Sequence, residues 1–219
     1  MTDASYVFLA IAAAFALGDW YAVTRDAYRL EYVCKPATLV ALIAVAVAAD
    51  PDIAGRRAAF VVALALSLLG DIFLMLRRER DGLIVKGMFV QGLGAFLLAH
   101  LAYIVGFQIE GGPVWAVFLL FVAVRVASLP VTVRLLAAID ERGRDEIAPA
   151  VRAYALVICG MVAAAAATGD AVAIVGAVLF FASDLMIAWS RFVTAWSWAP
   201  LAIIVTYHLG QAALVLSLV

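Results

Sequence analysis

Residues Ala58–Leu76 read AAFVVALALSLLGDIFLML, nineteen positions in which only Ser67 and Asp71 carry polar side chains. A helix on the surface of a soluble domain needs a polar face, and this stretch has none. Its length is close to the roughly 20 residues that cross a hydrocarbon core. The segment therefore reads as a transmembrane helix with one acid inside it.

The pattern repeats on both sides. Spans are expected at Tyr6–Val23, Val33–Ala49, Ala58–Leu76, Met88–Phe107, Val114–Leu136, Val151–Ala167, Ala171–Ser190 and Ala199–Leu218, the second and sixth being the shortest. Asp50-Pro51, Gly111-Gly112-Pro113, Gly169-Asp170 and Ala199-Pro200 punctuate them. The first apolar stretch lacks a basic leader and a small-residue cleavage site, so it is expected to stay as a span. The expectation is an all-α polytopic bundle of about eight spans, forming one integral membrane domain over residues 1–219.

Composition agrees. Hydrophobic residues make up 68% of the chain and charged residues 14%, whereas globular chains have about 45–50% and 25%. Mean hydropathy is +1.11. A net charge of -1 excludes the basic surface of a nucleic-acid binder. Cys34 and Cys159 fall in or beside apolar segments and read as small core residues.

Basic residues set the orientation. Arg25, Arg29, Lys35, Arg77, Arg78, Arg80, Lys86, Arg134, Arg142, Arg144, Arg152 and Arg191 fall at the odd-to-even connections; only Arg56 and Arg57 fall on the other face. Arg125 lies inside the fifth span and receives no role. The odd-to-even connections are expected in the cytoplasm of a cell inner membrane, with both termini outside.

Three acids lie within spans: Asp19, Asp71 and Asp184. Buried ionisable groups are costly in a bilayer and mark function by default. Asp19 and Asp71 precede a cytoplasmic-edge arginine by six residues and Asp184 by seven, which places all three roughly 9–11 Å inside that edge. Gln91 and Tyr154 sit about a turn inside their spans, and His100, Tyr103, Tyr207, His208 and Gln211 lie deeper. Lys35 heads the second span, followed by Pro36 as a first-turn residue. Trp196 and Trp198 read as an interfacial aromatic belt. The third and seventh spans echo one another, each acid following a small residue (Gly70-Asp71, Ser183-Asp184); a four-plus-four duplication leaves such a trace.

The run Lys35-Pro36, then Ser67-Leu68-Leu69-Gly70-Asp71, then Phe89-x-x-Gly92-x-x-x-Phe96-x-x-x-His100-x-x-Tyr103 resembles the YhhN-like family of membrane lysoplasmalogenases. Tyr154 with Met161, Gly176-Ala177-x-x-Phe180-x-x-Ser183-Asp184 and Tyr207-x-x-x-Gln211 continue the resemblance to the eighth span; Asp19 has no counterpart. The resemblance implies cleavage of the vinyl ether bond of a lysophospholipid, giving a fatty aldehyde and a glycerophospho-ethanolamine or glycerophosphocholine. No cofactor or metal is expected, and the partners are the bilayer and its lysolipid.

A vinyl ether hydrolyses when acid protonates its β-carbon and water captures the oxocarbenium ion. Paired carboxylates, one protonated and one ionised, suit that chemistry. Asp71 and Asp184 are the expected acid/base pair, in either order. His100, Tyr154, Tyr207 and Gln211 would orient water and glycerol oxygens, with Gln91 and Tyr103 in the same substrate-binding set. Lys35 would meet the substrate phosphate, and Asp19 and His208 are further candidates. Two other readings stay open: a proton-coupled transporter with a relay of buried acids, and a metal-dependent lipid hydrolase using His100, His208, Asp71 and Asp184. Against the metal, His100 lies fourteen residues in from Lys86, roughly 21 Å by helix rise and beyond the level of the acids.

Overall fold

The computed structural model describes residues 1–49, 54–76, 86–110 and 112–219. The turn residues Asp50, Pro51 and Gly111, and the basic Arg77, Arg78 and Arg80, lie outside the described residues. Eight helices are long and apolar enough to cross a membrane: α1 (Asp3–Thr24), α2 (Tyr28–Ala48), α3 (Ala54–Leu76), α4 (Lys86–Glu110), α5 (Val114–Asp140), α6 (Ala148–Ala167), α7 (Ala171–Phe192) and α8 (Ala199–Leu216). A 3-10 turn, Asp145–Ile147, precedes α6. No strand occurs among the described residues.

Several ends differ from the hydropathy reading because a helix continues through polar residues at the interface. α2 begins five residues before Val33, so it is not a short span, and Pro36 sits in its interior rather than in its first turn. Proline there withholds one backbone donor, a loss that membrane helices tolerate when neighbours satisfy the freed carbonyl. Pro130 likewise lies within α5 without ending it.

Seven helices close a ring in the order α1, α2, α3, α4, α6, α7, α8 and back to α1, with α2 also reaching α8. α5 stands outside, packed on α6 and α7. Consecutive helices other than α4 and α5 are packed neighbours, as short connections favour. The Thr2 hydroxyl ties the start of α1 to the end of α2 through Ala48 O at 2.8 Å. At the other end Arg142 donates to Arg191 O (2.8 Å) and Val193 O (3.2 Å), joining the α5–α6 and α7–α8 connections. Large apolar side chains cover the outside of the bundle, such as Val62, Leu98, Phe118 and Val175, as a lipid-facing surface requires.

α7 and α8 approach backbone to backbone. A Cβ on Gly176 would stand 2.8 Å from Leu214 N, and one on Gly210 would stand 2.9 Å from Phe180 N. Only glycine lets the two backbones approach this closely. That approach carries Phe180, Tyr207 and Gln211 into the ring interior, where all three are buried.

Candidate active site

The ring interior holds two carboxylates, each framed by side chains from two other helices. Asp71 on α3 is 1% exposed. Its Oδ1 accepts from Lys35 Nζ of α2 at 2.9 Å, and its Oδ2 accepts from the Tyr207 hydroxyl of α8 at 2.6 Å. Lys35 also lies over the Tyr207 ring, 5.6 Å from its centroid. Both oxygens of Asp71 are thus occupied, one by a cation. Lys35 serves an internal ion pair in this structure and does not head its span.

Asp184 on α7 has a different company. Its Oδ2 accepts from the Tyr154 hydroxyl of α6, and His100 Nε2 of α4 stands 3.6 Å from the same oxygen. The depth argument against His100 therefore fails. α4 is 25 residues long, so counting inward from Lys86 begins outside the level at which the shorter α7 ends. His100 belongs to the acid layer.

Hydrogen-bond geometry fixes how His100 carries its proton. Nδ1 lies 2.5 Å from the Phe96 carbonyl, which can only accept, so Nδ1 bears the hydrogen. In the neutral ring Nε2 then points a lone pair at a carboxylate oxygen. Two lone pairs facing one another in a buried site call for a proton, on the carboxyl or on the imidazole.

His208 has the opposite arrangement. Trp20 Nε1 donates to its Nδ1 at 3.2 Å, so Nε2 carries the hydrogen and faces Asp19 Oδ2 at 3.8 Å. That pair needs no added proton. Asp19 and His208, both buried, form a separate cluster between α1 and α8, and we read it as structural.

Aromatic rings fill the space between the two carboxylates. His100 lies edge-on to Phe180 (4.7 Å) and Phe180 to Tyr207 (5.4 Å). Phe96 contacts both Phe180 and Tyr207 and lies where Gly70 has no side chain; a Cβ there would meet its ring at 2.7 Å. Tyr103 donates to Gln211 Oε1 at 2.6 Å, bracing α4 against α8 beside this cluster. Gln91 is the exception among the expected site residues. It is exposed on the outside of α4, about 100° round the helix from the buried Gly92. Among the described residues no three His, Cys, Asp or Glu side chains converge, so the ligand types named for zinc stand as separate pairs.

Asp184 also differs in access. With Tyr154 it lines a cavity of about 390 Å³ between α5, α6 and α7, whose other walls are almost wholly apolar. The same two residues line a small chamber of about 60 Å³ on the other side, with Leu74, Phe89, Phe96 and Phe192. Asp71 lines neither. The sequence carried no signal for the larger cavity, since its walls are apolar residues like those that face lipid.

Fold and site define a polytopic membrane protein with two framed carboxylates, one of them open to an apolar cavity. Residues 30–218 match the profile of the YhhN family. The chain belongs to that family. The match begins within α2, so Asp19 lies outside it. Nothing among curated proteins or solved structures matches the chain.

Proposed function

We propose that the protein is a lysoplasmalogenase-type hydrolase that cleaves the vinyl ether of a lysophospholipid. The observation that carries this reading is Asp184, a carboxyl held by the Tyr154 hydroxyl and 3.6 Å from His100 Nε2 at the wall of an apolar cavity. Membership of a family that includes lysoplasmalogenases supports it.

In this reading Asp184, held by Tyr154 and His100, donates its proton to the β-carbon of the vinyl group. The α-carbon becomes an oxocarbenium ion, and Asp184 becomes a carboxylate. Water adds to that carbon and gives its proton back to Asp184. The hemiacetal then breaks its bond to the glycerol oxygen, the hydroxyl proton passing to that oxygen by way of the same pair. One water is consumed, and a fatty aldehyde and a glycerophospho compound leave. Asp71 supplies a fixed negative charge that favours the cation, as paired carboxylates do in glycoside hydrolysis. Lys35 and Tyr207 hold it in place and favour its charged form. The site opens toward the cytoplasmic leaflet.

The test is aldehyde release by pure protein in detergent from 1-alkenyl lysophosphoethanolamine, with the matched 1-acyl lipid as control. The expected result is cleavage of the alkenyl lipid alone, because no nucleophile or oxyanion hole serves an ester. Asp184→Asn should lower turnover by about 10²–10⁴ at unchanged Tm. A folded wild-type protein that releases no aldehyde overturns the reading. Turnover in detergent, where no gradient exists, also separates it from proton-coupled transport.

A further inference from the structure

We infer that the cavity between α5, α6 and α7 is the seat of the substrate's single hydrocarbon chain, and that its floor sets the chain length. This rests on the proposed vinyl ether reaction and adds to it the class of chain and its position.

The cavity runs along the bundle rather than across it. By position along their helices Leu135, Val151 and Ala188 line the end where α5 and α7 finish, cytoplasmic in the orientation expected from the basic residues, and Val124, buried Val162 and half-exposed Val178 line the opposite end, its floor. Val178 lies six residues before Asp184 on α7 and Val162 eight after Tyr154 on α6, so the floor is roughly 9–12 Å deeper than the site. A lysolipid in the cytoplasmic leaflet has its headgroup at that surface and its tail toward the midplane. Seated here, it places the first carbons of the tail at Asp184 and the remainder below. At about 390 Å³ the cavity is at the small end of ligand pockets, a volume for one chain rather than two. Asp184 is the one carboxyl among its walls, with Tyr154 beside it and Ser128, Thr132 and Cys159 as the other polar side chains in an otherwise apolar lining, so the occupant is mainly hydrocarbon. Among the described residues the helices on which α5 chiefly packs are α6 and α7, which leaves the cavity at the outer side of the bundle and lets a chain move in from the bilayer without crossing water.

Moving a chain from bilayer to protein exchanges one hydrocarbon setting for another, so it gains little affinity. What the cavity supplies is position. A raised floor should therefore displace the vinyl group of a long chain from Asp184 and act on kcat, leaving KM almost unchanged.

Val162→Phe and Val178→Phe, in lipid nanodiscs, are compared on 1-hexenyl and 1-dodecenyl lysolipids, the shorter chain ending above the floor and the longer one reaching it. The expected result is a kcat loss of about 10²-fold for the long chain and about two-fold or less for the short one. An unchanged chain preference in both variants, each with wild-type Tm, overturns the inference. A second measurement needs no turnover: a non-hydrolysable 1-alkyl lysolipid with a diazirine at its chain end is photolysed on wild-type protein and the adducts mapped. Adducts should concentrate at the floor residues of α5, α6 and α7. Adducts spread evenly over the lipid-facing surface overturn the inference. Floor adducts in a protein that releases no aldehyde would keep the chain seat and remove the proposed reaction.

Discussion

Replacing Lys35 by Met removes the cation from Asp71 and leaves hydrocarbon of similar length in its place. Asp71 is 1% exposed, with its two oxygens on Lys35 and Tyr207. Breaking one side of such a pair costs about 3–5 kcal/mol. The orphaned carboxylate can escape by binding a proton, which at pH 7 costs about 4 kcal/mol against an unfolded aspartate that ionises near 3.9. The two figures agree, and for a chain of this size they correspond to a fall in Tm of roughly 6–20 °C. The sign with pH follows. The folded variant holds a proton that the unfolded chain has released, so its deficit shrinks by about 1.4 kcal/mol for each pH unit of acidification toward pH 4. Adding Asp71→Asn removes the second charge and should restore most of the lost Tm. The assay is Tm against pH for wild type, both single variants and the double variant, with kcat and KM measured alongside. Loss of kcat at unchanged KM fits a Lys35 that holds Asp71 ionised. A raised KM at intact kcat would mean that Lys35 binds the headgroup instead. Additive losses in the double variant, or a deficit that does not vary with pH, would refute the buried-pair argument.

Gly210→Ala should lower stability by about 1–3 kcal/mol, because its Cβ would stand 2.9 Å from Phe180 N; a wild-type Tm would show that α7 and α8 are not held at this spacing. Asp19→Asn should lower Tm while leaving kcat near wild type, since Asp19 faces His208 and lies apart from the proposed chemistry; a collapse in kcat at full stability would bring it into the mechanism. A reporter fused after Val219 should read as periplasmic and one within Asp140–Arg144 as cytoplasmic, by the distribution of basic residues; the reverse result would place the cavity mouth in the other leaflet. kcat/KM should follow a bell in pH whose limbs belong to the coupled groups around Asp184, and a flat profile would refute proton donation from that site.

Much of this was legible in the sequence because charge inside an apolar run is costly and therefore conspicuous. Asp71 and Asp184 stand out for that reason, and Tyr154, His100, Tyr207 and Lys35 are conspicuous as polar side chains within or beside apolar spans. What helix counting misses is the common origin of depth. Lys86 begins a helix of 25 residues, so a count from it misplaced His100 by more than a turn. Lys35 was misread by a similar error, because α2 begins at Tyr28 rather than at Val33. Ring closure is also absent from hydropathy: nothing in α5 distinguishes it as the helix left outside, since lipid and protein interior select the same residues. The cavity stays hidden for that reason. The proton positions on His100 and His208 depend on Phe96 O and Trp20 Nε1, contacts that no spacing rule gives.

The echo between Gly70-Asp71 and Ser183-Asp184 extends to the side chains around them. If α1–α4 correspond to α5–α8, α2 pairs with α6 and α4 with α8. Asp71 is then framed by a residue from the second helix of its own half, Lys35, and one from the fourth helix of the other, Tyr207. Asp184 is framed from the matching places by Tyr154 and His100. The geometry is repeated and the chemistry is not. Two carboxylates inside one helix ring cannot both ionise cheaply away from water. In the proposed reaction, Lys35 beside Asp71 and Tyr154 beside Asp184 would divide the two into a carboxylate paired with a cation and a carboxyl able to hold a proton. Acid-catalysed cleavage through a cation requires such a division, and its origin would be the difference between Lys35 and Tyr154 at corresponding places in the two halves.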